Sequence, residues 1–380
     1  MIVLLLEENG VCGGSGLTAE RGSMRTIWRI FLTLILIIVV ADNVAWILDV
    51  PLACSDFNEL EVDPENLWNN TVGSHPTEED PYALENVWSN GQRRSRPQMQ
   101  TKRPYHVLVI GCSYTFGVGL NDEDTYVWHL NELMPSVEFD NGAVGGYGTM
   151  QCLNRLRRQM KVKQYDCVIY GAIDDHLKRD ACPKFRELRR EAGEHDPLDN
   201  CYSIFRLPCA QLTSNFDFVE YKLHCYTFPF AHLSPLLNLA ASYYGVYDVL
   251  HMQAPTESEQ RMIFASRVCR MAQVAAAYGS KFMLLSLDDV RYSECEEIYS
   301  PLVHCFDNRY YKDIETPDRV RKMNNNHPGA VVNEYWAQKL AHYLSRPDVF
   351  AELINFRASS DLPQHRTLFD LDKQPVTWPW

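Results

Sequence analysis

The stretch "VLVIGCSYTFGVGLNDEDTYVWHL", residues 107–130, decides the fold. Four apolar residues, Val107–Ile110, run without polar alternation into Gly111, Cys112 and Ser113. A strand that is apolar on both faces marks the centre of a parallel sheet, where both sides are covered. In open sheets of this kind, ligands bind just beyond the carboxyl ends of the strands. Ser113 falls at such an end, with Gly111 suited to a tight turn and Gly117 and Gly119 to close backbone approach.

The chain has 380 residues, 46% hydrophobic and 22% charged, which suits a folded domain of about 250–300 residues with appendages. A formal net charge of −13 excludes a nucleic-acid partner, because phosphate binding needs concentrated Lys and Arg. No GxxxxGK[ST] loop, GxGxxG turn or HExxH pair occurs, so no cofactor or metal is expected. The cysteines form no CxxC pair and no zinc-like spacing with histidine. Cys112, Cys152 and Cys167 read as small buried apolar residues, whereas the group from Cys182 to Cys225 reads as disulfide material for an exported domain.

Residues 27–48 form the single membrane-grade segment, interrupted by Asp42 and Asn43. Arg21, Arg25 and Arg29 precede or open it, and residues 49–92 hold no Lys or Arg at all. That asymmetry predicts a cytoplasmic leader over 1–26, a transmembrane signal anchor over 27–48 and an extracytoplasmic main domain, periplasmic or extracellular. Residues 49–104, acidic and then basic in "QRRSRPQMQTKRP", read as a solvated linker. From there strand and helix signals alternate. Strands are expected at 107–110, 137–144, 167–173 and 282–287, with helices near 126–133, 149–163, 258–278 and 330–344. The pattern predicts a domain over 105–350 with an insertion at about 177–257, and a tail over 351–380. Its class is an α/β three-layer sandwich around a parallel sheet.

The chemistry gathers at strand ends. Ser113 follows the first, the glycines of "NGAVGGYGT" (141–149) follow the second, and "GAIDDH" (171–176) closes the third. His327, in "NNNHPG", stands at the mouth of the last helix, with Pro328 placed for its first turn. A serine nucleophile needs a histidine base and N–H donors where an oxyanion develops, and this order supplies all three.

These blocks resemble the SGNH or GDSL hydrolases over most of residues 105–346, a flavodoxin-like fold. The resemblance implies that Ser113 is the nucleophile and His327 the base, with Asn324 at the position of the acid that orients it. It implies an oxyanion hole from the N–H groups of Ser113 and Gly146, with Asp174 near the position of the family's asparagine donor. Asn141 matches the second block's asparagine. Three positions depart from the family. Cys112 replaces the first-block aspartate, Ile173 or Asp174 replaces the third-block asparagine, and Asn324 replaces the fifth-block aspartate. An ionised carboxylate donates no hydrogen bond, and Asp288, Asp289, Asp307 and Asp318 are the other carboxylates that could serve the triad. The expected reaction is hydrolysis of an ester on a small molecule, glycan or lipid. The alternatives are acyl transfer to an exported polysaccharide and a catalytically degenerate binding protein.

Overall fold

Val107–Ile110 are fully buried at the centre of a strand, Tyr105–Gly111 (β1). The computed structural model describes residues 26–37, 39–40, 60–63, 65, 67–76, 84–98, 102–181, 185–189, 202–212, 218–222, 224–226, 255–288, 301–309 and 327–355. Around β1 lie Val137–Asn141 (β2), Cys167–Ala172 (β3), Lys281–Ser286 (β4) and Val303–Asp307 (β5). All five are parallel, in the order β2-β1-β3-β4-β5. The sequence predicts four of them. The fifth, "VHCFD", is half-buried along its length as an edge strand, so it lacks the continuous apolar run that marks the others.

The helices are Ser113–Phe116 (α1), Tyr126–Leu133 (α2), Thr149–Val162 (α3), Asp175–Asp180 (α4), Glu257–Ala277 (α5), Ala330–Leu344 (α6) and Pro347–Leu353 (α7). Thr125 caps α2 by accepting from the Trp128 N–H, and Thr256 with Glu259 forms a capping box on α5. One face of the sheet is covered by α2 and α6, the other by α3, α4 and α5. The result is the expected three-layer α/β sandwich. Its core continues past residue 350, since Leu353 and Ile354 are buried. The second expected strand stops at Asn141 rather than 144, although the N–H groups of Gly142 and Val144 still donate to Val109 O and Gly111 O on β1 before the turn at 145–146. The last helix starts at Ala330, with Gly329 as its N-cap, so Pro328 lies before the first turn rather than in it.

The linker reading of residues 49–104 needs correction. Leu84–Val87 pairs antiparallel with Gly73–Pro76, and Arg93 bridges to Asn141 on β2. Arg93 and Arg96, expected in solvent, are 0% and 3% exposed. Each meets buried carboxylates: Arg93 Nε lies 3.1 Å from Asp122, and Arg96 lies 3.0 Å from Glu138 and 2.7 Å from Asp140. Buried charge is tolerated when it is paired in this way.

The chain divides into two compact units, the first being Met1–Ser55, Glu187–Ser203 and Thr227–Tyr244, and the second the remainder. In the first, residues 26–37 and 39–40 are helical and expose Ile27, Trp28, Leu32 and Leu36. Among the described residues no helix is long and apolar enough to cross a membrane, and residues 41–48 of the expected anchor lie outside them. Within the insertion, Cys209–Leu212 pairs antiparallel with Phe218–Tyr221, and Cys209 is disulfide-bonded. Cys112, Cys152 and Cys167 are free and buried, as their apolar neighbours predict.

Candidate active site

Sheet register brings three of the candidate residues, Ser113, Asp174 and Asp288, just beyond level strand ends. Gly111 pairs with Gly171, and Ala172 and Asp307 both pair with Ser286, so the carboxyl ends of β1, β3, β4 and β5 are level. Beyond them follow Ser113, Asp174 and Asp288. The strand order reverses between β1 and β3, the crevice where open α/β sheets bind ligands.

Why β1 ends in glycine is now physical. Thr115 on α1 inserts between β1 and β3, and a Cβ at either Gly111 or Gly171 would collide with its Oγ1. The Tyr126 hydroxyl holds that Oγ1 at 3.2 Å. The insertion fixes α1 above the sheet with Ser113 as its first residue, 7% exposed, and a left-handed Gly117 ends the turn. Burial raises the thiol pKa of the preceding Cys112, which leaves it a neutral packing residue.

The second block supplies a clamp and a turn. Asn141 is fully buried; its Nδ2 donates to Thr115 O at 2.9 Å and its Oδ1 accepts from the Ala143 N–H at 3.2 Å. It therefore ties the Ser113 turn to the glycine turn. Gly146 adopts φ +73°, a left-handed conformation that a side chain would strain.

His327 is partly buried beside this assembly. Its ring meets Tyr114, the neighbour of Ser113, edge-on with centroids 5.7 Å apart, and Tyr114 in turn stacks on Trp336 of α6 at 6.3 Å. Asn333, absent from the sequence reading, anchors the approach. Its Nδ2 donates to Pro328 O and Gly329 O while its Oδ1 accepts from the Tyr126 N–H. Thus α6 and α2 are joined at their amino ends, and the backbone just after His327 is anchored.

The third block behaves differently. Ile173 is buried in the core. The Asp174 N–H donates to Asp288 Oδ2 at 2.8 Å, and its own side chain is 54% exposed, 4.0 Å from Lys178 Nζ. Asp175 pairs with Arg179 at 3.0 Å. His176, one of three adjacent polar residues at this strand end, is not at the rim chemistry at all. It is fully buried, stacked on Tyr170 with Nδ1 2.7 Å from the Tyr170 hydroxyl, and burial holds its pKa well below the ordinary histidine value.

Asn324, Asp289 and Asp318 lie outside the described residues. Of the two other candidate carboxylates, Asp307 is engaged by Arg309 at 2.8 and 2.5 Å, while Asp288 stands at the rim beside Asp174. Among the described residues no group of His, Cys, Asp and Glu is arranged to hold a metal ion.

No protein-family model matches the chain, and no curated protein matches it. Solved structures do. The chain is similar to a member of the lipolytic protein G-D-S-L family from Veillonella parvula, at 9% identity and TM-score 0.34, over 64% of this chain and 99% of that one. It is also similar to a psychrotrophic esterase from Pseudoalteromonas sp., at 11% identity and TM-score 0.33, over 63% and 99% of the two chains. A carbohydrate esterase aligns at 11% identity and TM-score 0.35, over 65% and 70%.

Proposed function

We propose that the chain is a serine hydrolase of the SGNH type that cleaves ester bonds, with O-acyl or acetyl groups on a glycan or lipid as the substrate class. The observation that carries this is the convergence of Ser113 and His327: one opens α1 at the end of β1, and the other packs on the residue next to it. In this reading Ser113 Oγ attacks the acyl carbon and His327 accepts its proton. The N–H groups of Ser113 and Gly146 receive the oxyanion, and His327 then protonates the leaving alcohol. Water repeats the sequence to release the acid. Asp288 or Asn324 orients the imidazole.

A second reading, a binding protein with a decayed triad, is favoured by one observation. The Asp174 side chain is turned to solvent and offers no donor where the family has an asparagine amide. Labelling of the intact chain with a fluorophosphonate separates the two. The hydrolase reading expects labelling that Ser113→Ala abolishes; an unlabelled wild type moves the answer to the binding class. Product analysis with an acyl donor and a glycan distinguishes hydrolysis from acyl transfer to polysaccharide.

The same proposal places the enzyme on a membrane, with the catalytic domain extracytoplasmic. The complete Lys/Arg asymmetry around residues 27–48 supports it. So does the disulfide at Cys209, a bond typical of oxidising compartments. A C-terminal alkaline phosphatase fusion should be active; an inactive one overturns this topology.

A further inference from the structure

Arg93 lies far in sequence from every candidate catalytic residue, yet it touches the elements that carry two of them. Its backbone N–H donates to Asn141 O at 2.9 Å, at the point where β2 gives way to the glycine turn. Its guanidinium is fully buried and sits 4.7 Å above the ring of Phe116, the last residue of the Ser113 turn. From that position Nη2 donates to Leu120 O at 2.6 Å and Nε to Asp122 Oδ1 at 3.1 Å, while Glu85 lies 3.5 Å from Nη1. Asp122 is held from its other side by the backbone and side chain of Asn86. One side chain thereby fastens residues 116–122 to the edge of the sheet.

The neighbouring segment fastens the other turn. Asn70, buried at 3% exposure, donates through Nδ2 to Gly91 O at 3.0 Å and to Ala143 O at 2.9 Å. Arg155 reaches Gly91 O at 2.8 Å and Gly142 O at 3.3 Å. Asn70 and residues 84–93 thus hold the Ser113 turn and the glycine turn at once. A stacked, planar group with donors on two edges is what Arg93 supplies, and a lysine ammonium cannot make all these contacts together.

We propose that Arg93 is a positioning residue for the candidate site, aligning the N–H groups of Ser113 and Gly146 on a common oxyanion by locking their two turns to a strap formed by Asn70 and residues 84–93. This rests on the serine-hydrolase reading. Misplacement of such donors by about 1 Å costs on the order of 10²-fold in rate, and the loss falls on turnover because the oxyanion forms only in the transition state.

The test is steady-state hydrolysis of p-nitrophenyl acetate by the full chain, with folding checked by circular dichroism. Folded Arg93→Lys should lose about 10²-fold in kcat with KM within about twofold. Folded Arg93→Lys with wild-type kcat overturns the proposal, as does a loss confined to KM. If Arg93→Lys does not fold, Asn70→Ala, which leaves the buried charges paired, decides in its place. A fall in kcat at constant KM supports the strap, and unchanged kcat overturns it. Failure of both variants to fold makes the segment scaffold alone and also overturns it. A wild type that neither hydrolyses the ester nor labels with fluorophosphonate refutes the underlying serine reading instead.

Discussion

The two faces of the sheet are filled by different means. Under α2 and α6 the packing is aliphatic and aromatic: Val107, Val109, Leu130, Phe139, Trp336 and Leu340 belong to one continuous cluster. Under α3, α4 and α5 the packing is apolar too, with Leu108, Leu153, Leu156, Phe264 and Val268 buried, but paired polar groups are set into it. Thr149 Oγ1 lies 2.8 Å from the Tyr170 hydroxyl, which lies 2.7 Å from His176 Nδ1. Asp180 Oδ1 accepts from the Met150 N–H at 3.1 Å, and Arg179 donates to Tyr147 O at 3.2 Å. These last two contacts grip the start of α3, just after the glycine turn. The apolar face holds its shape by volume and ignores pH. The polar face holds a particular turn in place and carries two buried titratable groups on one short helix.

Those two groups have opposite linkage. Burial pushes the Asp180 carboxyl up to about 7 from 3.8, against hydrogen bonds from Thr149 and Met150 and the nearby charge of Arg267. From about pH 4 to 7 the native chain keeps a proton there that the unfolded chain has released. Stability therefore falls as pH rises, by about 1.4 kcal/mol per unit. His176 is depressed well below 6.5, by burial first and by Arg179 second. Just below pH 6.5 the unfolded chain binds a proton that native His176 refuses. Stability therefore rises with pH in that window, by a similar amount per unit. The two slopes cancel.

Leu340→Ala should have the largest effect at any single pH. It removes a fully buried side chain from the apolar cluster and should cost about 3 kcal/mol in urea unfolding, equally at pH 5 and pH 7. A loss that varies with pH would show that this face is not electrostatically inert. Asp180→Asn comes next. The amide keeps an acceptor for the Met150 N–H but cannot titrate, so only the His176 slope remains. Stability should then climb by about 1.4 kcal/mol per pH unit toward pH 6.5, where the wild type is flat. A flat profile in the variant would mean that His176 and Asp180 do not oppose each other.

The apolar face and the strands beneath it were legible because burial on both sides leaves an unbroken apolar run, as at Val107–Ile110 and Phe282–Leu285. Helices at 126–133, 149–162 and 330–344 were legible from their period, and the order of the blocks singled out Ser113 and His327, whose neighbourhoods the fold brings into contact through Tyr114. The polar contacts were not. His176 reads as a rim residue because Asp174 and Asp175 precede it, yet the turn into α4 carries it into the core. Arg93 reads as solvated because its partners Asp122 and Leu120 are distant in sequence. Local pattern reports which surfaces are covered. It does not report which charge finds which partner.

His176→Phe is the smallest expected change and sharpens the contrast most. The ring lies parallel to Tyr170 at 5.4 Å with an interplanar angle of 11°, a geometry that phenylalanine can keep. Nδ1 lies 2.7 Å from the Tyr170 hydroxyl and accepts a longer contact from the Ile173 N–H at 3.5 Å, and Nε2 is buried with no hydrogen-bond partner. Tyr170 retains Thr149 after the substitution, so its hydroxyl is not orphaned. The cost at pH 7, where His176 is neutral in both states, should therefore be about 1–2 kcal/mol, the worth of one ordinary hydrogen bond and the long contact from Ile173. Below pH 6.5 the variant should diverge from the wild type. With the histidine gone only Asp180 titrates, and stability should increase as pH falls from about 7 toward 4, by about 1.4 kcal/mol per unit. Urea unfolding across that range reads it directly. A loss of several kcal/mol at pH 7, or a profile that stays flat below it, would show that His176 does more on this face than stack and stay neutral.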